Sequence, residues 1–139
     1  MFKIFILLSS LVVLLSGCAT GKLVGKPPII ENDNFATVHI ARPAGFAGCG
    51  GRMTIELDHT EFYWLACGEH IAFRVPANKV ITISQTTSTQ PDHLDIEPEK
   101  SKQYYFENDC GGWTCWLKET SKSNFMHVAK ECKQINIGY

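Results

Sequence analysis

The chain has 139 residues, with 13 Lys and Arg against 14 Asp and Glu for a formal net charge of −1. That length suits one compact domain; the near balance of charge excludes a general nucleic-acid binder, which needs surplus cations, and a hydrophobic content of 45% excludes a disordered chain. Six cysteines are many for a small cytosolic protein and point to an oxidising compartment or a metal.

Residues 1–3 supply a short basic start, and residues 4–15 (IFILLSSLVVLL) are apolar apart from Ser9 and Ser10. As a helix this run spans about 18 Å against a hydrocarbon core of roughly 30 Å, too short for a comfortable span and right for the apolar part of a secretory signal. Leu15-Ser16-Gly17-Cys18 follows and resembles the lipobox of bacterial lipoproteins. The resemblance implies a glyceride on the Cys18 thiol, cleavage before Cys18 and an acyl chain on the new amine. Two or more chains anchor a protein stably without a transmembrane helix. By the same resemblance, Ala19 in place of Asp implies sorting to the outer membrane, facing the periplasm. The organisation expected is a signal peptide at 1–17, a lipidated cysteine and flexible tether at 18–34, and one domain at 35–139. Gly21, Gly25, Pro27 and Pro28 discourage helix in the tether.

The body reads as short strands. Residues 36–40 (ATVHI) alternate and close at Arg42-Pro43. Residues 52–58 (RMTIELD) alternate with Met53, Ile55 and Leu57 inward. After a turn at His59-Thr60, residues 61–67 (EFYWLAC) return, apolar on both faces and so expected to be central. Residues 71–75 (IAFRV) stop at Pro76, and residues 79–86 (KVITISQT) are rich in β-branched side chains. Leu94-Asp95-Ile96, residues 103–107 (QYYFE), residues 114–118 (TCWLK) and Phe125-Met126-His127-Val128 complete the set, with residues 126–135 the best helix candidate. Turn signals at this spacing predict an all-β domain, a small antiparallel β-sandwich or partly open barrel of about seven to nine strands.

Residues 36–43 (ATVHIARP) with Phe46-Ala47-Gly48, then Leu57-Asp58, residues 75–79 (VPANK) and residues 102–106 (KQYYF), together resemble a domain-of-unknown-function family found on small bacterial lipoproteins. The resemblance implies an all-β envelope domain and no particular activity. Asn78 and Ser101 stand where the family pattern has glycine, and Val80 where it has histidine.

With Cys18 assigned to the anchor, five cysteines remain, which allow two bridges and one free thiol. A two-residue turn at His59-Thr60 sets Arg52 opposite Cys67, so Cys49 on the same edge is placed to bridge Cys67. Cys110 and Cys115 flank a short loop and can meet across its neck. These loops would stabilise by about 3 and about 2 kcal/mol on the chain-entropy model. Cys132 is left over, free or able to replace a partner in either pair. An alternative gathers Cys67, His70, Cys110 and Cys115 as a zinc set, which an oxidising envelope disfavours.

Trp113, beside two glycines, is the aromatic hardest to bury and the candidate for stacking on a glycan. Most of the other aromatics read as core. No G-x-S-x-G, H-E-x-x-H or phosphate-loop motif occurs, and no motif calls for a cofactor. The reading is a non-enzymatic binding or structural accessory protein. It would be held to the membrane through acyl chains on Cys18 and present the domain to an envelope protein partner. A glycan-contacting module using Trp113 and an envelope metal binder are the alternatives.

Overall fold

The computed structural model of the chain describes residues 20–45, 49, 51–87, 91–111 and 114–137. Two open five-stranded sheets pack face to face. In spatial order the first holds β1 (Lys22–Leu23), β4 (Thr60–Leu65), β3 (Met53–Leu57), β6 (Ile81–Thr86) and β7 (Pro91–Ile96). The second holds β10 (Lys133–Asn136), β5 (Glu69–Pro76), β2 (Phe35–Arg42), β8 (Gln103–Gly111) and β9 (Thr114–Glu119). One helix, α1 (Lys122–Ala129), links β9 to β10. The all-β sandwich read from the sequence is the fold.

Alternation builds the core. Met53 and Ile55 from β3, Leu65 from β4 and Ile83 from β6 meet Val38, Ile40, Ile71 and Phe73 from the other sheet, all essentially without solvent contact. Side chains two apart share a face, so each strand buries one set and shows the other to water. The two sheets are tied along one side by polar contacts. Gln85 Nε2 donates to the Cys115 carbonyl at 2.6 Å, and the Leu117 amide donates to Asp92 Oδ2 at 2.8 Å.

Several expectations need correction. Ten strands occur among the described residues, against the about seven to nine expected. Pairing is not uniformly antiparallel: β2 runs parallel to β8, and β10 parallel to β5. The chain crosses repeatedly between sheets, and such crossovers return a strand in parallel where a hairpin cannot. Residues 125–128 are helix, not strand. Ser121 caps α1 by accepting from the Asn124 amide, and only Phe125 and Ala129, one turn apart, are buried. A two-residue apolar face is too short to announce a helical period.

The hairpin of β3 and β4 also differs in detail. Its turn lies one residue earlier than expected, at Asp58-His59, where both residues have positive φ (48° and 63°). That is the geometry of a two-residue type I′ turn, whose twist matches the strands it joins. A bulge then shifts the register between Ile55 and Glu56, leaving Phe62 as the extra residue. Both Phe62 and Tyr63 are buried, and Phe62 meets Phe73 with ring centroids 4.8 Å apart. The bulge accounts for the doubly apolar pattern of β4. The strand is not central: only the two residues of β1 separate it from the sheet edge.

Asn78 and Ser101 both adopt left-handed φ (60° and 64°). The Ser101 amide donates to the Phe35 carbonyl at 2.8 Å, which fixes the loop onto the start of β2. Left-handed φ costs an ordinary residue roughly 1–2 kcal/mol, less for Asn. Ser101→Gly therefore raises stability by about 1 kcal/mol in urea denaturation, while Asn78→Gly gives less. A loss of stability in Ser101→Gly would contradict the strain assigned to this turn.

Candidate functional site

Two charged residues occupy inward positions of the sandwich. Arg42 follows Ala36, Val38 and Ile40 in phase on β2, and Glu69 precedes Ile71, Phe73 and Val75 in phase on β5. They are partners across the β2–β5 ladder and are only 2% and 3% exposed. Buried ions persist only when paired and hydrogen-bonded. Arg42 donates from Nη1 to the Leu65 carbonyl at 2.6 Å and from Nη2 to the Gly51 carbonyl at 2.7 Å. Burial pulls the Arg42 guanidinium below its ordinary value, and the Glu69 charge opposes that. Glu69 Oε2 accepts the Ala66 amide at 3.1 Å, and the Glu69 oxygens accept the Gly21 amide at 2.9 and 3.0 Å. Burial first, and then Glu69, push the Tyr63 phenol up to about 12.

The Gly21 contact corrects the expectation of a flexible tether throughout 18–34. Residues 21–25 lie along the free edge of β4. Lys22 and Leu23 pair antiparallel with Trp64 and Tyr63, and the Val24 and Gly25 amides both donate to the Phe62 carbonyl at 3.0 Å. An edge strand presents unpaired backbone groups, and the incoming chain satisfies them. Glycine is required where it approaches most closely. A Cβ on Gly21 would overlap Glu69 Oε2 and the Trp64 carbonyl oxygen, and one on Gly25 the Glu61 carbonyl oxygen.

Both disulfides lie at this same end. Cys49 bridges Cys67 with Cα atoms 5.5 Å apart, and Cys110 bridges Cys115 across the β8–β9 hairpin with Cα atoms 4.1 Å apart. Cys132 is the free thiol. It is half-buried beside the Arg42 and Val128 carbonyls, and burial, then Glu131, push its pKa up. The alternative zinc set is not assembled, because Cys67, Cys110 and Cys115 are all consumed in bridges and leave His70 without thiolate partners. Cys18 and Trp113 lie outside the described residues.

On the outer face of the second sheet, α1 covers a cluster of rings. His39 stacks on Tyr105 at 4.7 Å, and Phe125 meets the edges of His39 and His70 at 5.7 and 5.6 Å. Gln103 Oε1 accepts from the Tyr105 hydroxyl at 2.7 Å and lies 3.2 Å from His39 Nε2. Desolvation lowers both imidazole pKa values. Lys122 lowers His39 further against the Gln103 hydrogen bond, which raises it, and His39 lowers His70. Nearby Glu107 is engaged by Lys118 at 3.6 Å. His39 and His70 are far apart in sequence, and the ladder brings them together, setting Ala41 opposite His70 and His39 opposite Tyr105.

Chemically, this end holds segments together. The buried carboxylate is occupied by amide donors and the histidines by rings, so neither is arranged as a general base beside a nucleophile. Among the described residues no helix is long and apolar enough to cross a membrane. The chain matches no family model, no curated protein and no solved structure.

The histidine cluster makes stability depend on pH. A lowered native pKa means that the unfolded chain binds protons more readily, so stability is full above the ordinary imidazole value of 6.5 and falls as pH drops below it. The urea midpoint therefore declines between about pH 7 and about pH 5, and His70→Gln flattens that slope. A profile that is flat in wild type over this window would contradict neutral, desolvated imidazoles.

Proposed function

We propose that this chain is a membrane-anchored envelope lipoprotein whose sandwich serves as a non-enzymatic binding or structural accessory domain. The observation that carries the reading is the docking of residues 21–25 on β4, beginning three residues after Cys18 in the sequence. With acyl chains on Cys18, such docking would hold the sandwich close to the membrane in a defined orientation. Two disulfides support an oxidising, non-cytoplasmic compartment. The lipobox at residues 15–18 supports the anchor, and sorting to the outer membrane, facing the periplasm, belongs to the same proposal. So does the resemblance to small all-β lipoproteins of unassigned activity. The partner proposed is an envelope protein reached from the membrane surface, with no cofactor required.

Cys18→Ser tests the anchor. Acyl chains contribute about 0.8 kcal/mol per buried methylene, so stable retention needs the chains that Cys18 would carry. Wild type should fractionate with membranes and show a mass increase on the Cys18 peptide. Cys18→Ser should lack that increase. An unmodified Cys18 in membrane-associated wild type would refute the reading.

A further inference from the structure

We propose that the sandwich end bearing Lys22, Arg52 and Trp64 is a docking surface for anionic phospholipid headgroups, an inference that rests on lipid attachment at Cys18. Trp64 faces outward from the first sheet, between Lys22 of β1 and Thr54 of β3. The Arg52 guanidinium carbon lies 3.7 Å from the centre of the indole ring, and Lys22 Nζ lies 6.0 Å from it. Both cations are exposed. Stacking on the ring fixes the guanidinium plane while leaving its N–H edge open to a phosphate, which such a fork recognises bidentately. Among the described residues neither Lys22 nor Arg52 is paired with a carboxylate.

Charge is graded along the same hairpin. Glu56 and Glu61 pair with each other at the turn end, beside Asp58, and the cations sit at the end where the chain arrives. Lys133, opposite Glu69 in register, adds an exposed cation to the cationic end, with Glu131 nearby as the one exposed carboxylate of the α1–β10 loop.

Position selects the ligand. Lys22 is four residues beyond Cys18, a reach of at most about 14 Å. Attraction to a charged bilayer fades over a Debye length of about 8 Å; a tether this short lets Lys22 come within that distance of the headgroups, whereas a cation at the far end of the strands is held further away. The apolar body of the half-buried indole suits the same interface, while its Nε1 lies away from solvent.

The test uses the full lipidated chain in phosphatidylcholine nanodiscs, with and without phosphatidylglycerol, and reads lysine acetylation by mass spectrometry. Lys22 should react more slowly on the anionic discs, by about fivefold per cationic contact, and lose that protection at high salt. Lys100, exposed at the opposite end, should react equally on both. Arg52→Gln, a change at an exposed side chain, should lower the Lys22 protection about fivefold. Equal reactivity of Lys22 on the two discs, with acyl chains present on the Cys18 peptide, overturns headgroup docking and leaves the anchor standing. A Cys18 peptide without acyl chains overturns the anchor and this inference with it. Protection of Lys22 in native envelopes but on neither disc overturns the lipid assignment in favour of a protein contact.

Discussion

Two oppositely charged side chains buried at one end of the sandwich organise what surrounds them. Arg42 and Glu69 face each other on adjacent strands at positions that the fold otherwise reserves for apolar side chains. Two charges without water must find their hydrogen bonds inside the protein, and hydrogen bonds to charged groups contribute about 1.5–3 kcal/mol each. Their bonds reach the end of β4 and the residue after it, the segment before β3 and the arriving chain. Hydrophobic burial stabilises the sandwich as a whole. The hydrogen bonds of the two buried charges determine how its loops close and where residues 21–25 lie.

The disulfides act on the same end. Cys49–Cys67 closes the hairpin beside Gly51, the residue whose carbonyl Arg42 binds. Cys110–Cys115 closes the β8–β9 hairpin, and the Cys115 carbonyl accepts from buried Gln85 across the sheets. One end of the molecule is thus constrained by covalent bonds, ions and a docked arm together. The opposite end is made of turns, several with left-handed residues such as Asp58, His59, Asn78 and Ser101. That asymmetry suits a domain held from one side, which is the geometry the lipoprotein proposal requires.

Much of this was legible in the sequence, and what was not has physical causes. Strict alternation in residues 53–57 and a β-branched run in residues 81–86 specify strands because one face of each is dry. The bridge between Cys49 and Cys67 followed from hairpin geometry even though the turn lay one residue early: that moves the pairing by two residues, and the bulge at Phe62 recovers one, setting Met53 opposite Leu65. Helix α1 was hidden by its brevity: Phe125 and Ala129 alone bury, and capping by Ser121 is a single residue's signal. Docking of residues 21–25 was hidden as well, since glycine reads as flexible when it is needed here for close approach. The buried pair did leave a trace. Arg42 continues the inward phase of Val38 and Ile40, and Glu69 that of Ile71 and Phe73; a charge in an apolar phase is rarely solvated surface.

Hydrogen exchange at the Gly21 amide tests the central claim most directly, because that proton reports the bond between the arriving chain and the buried carboxylate. Hydrogen bonds to charged groups contribute roughly 1.5–3 kcal/mol. The Gly21 amide should therefore exchange about ten- to a hundredfold more slowly than a free-chain amide, in a sample where the Val38 amide of β2 confirms the fold. Exchange of Gly21 at the free-chain rate while Val38 stays protected would show a loose tether and contradict the account.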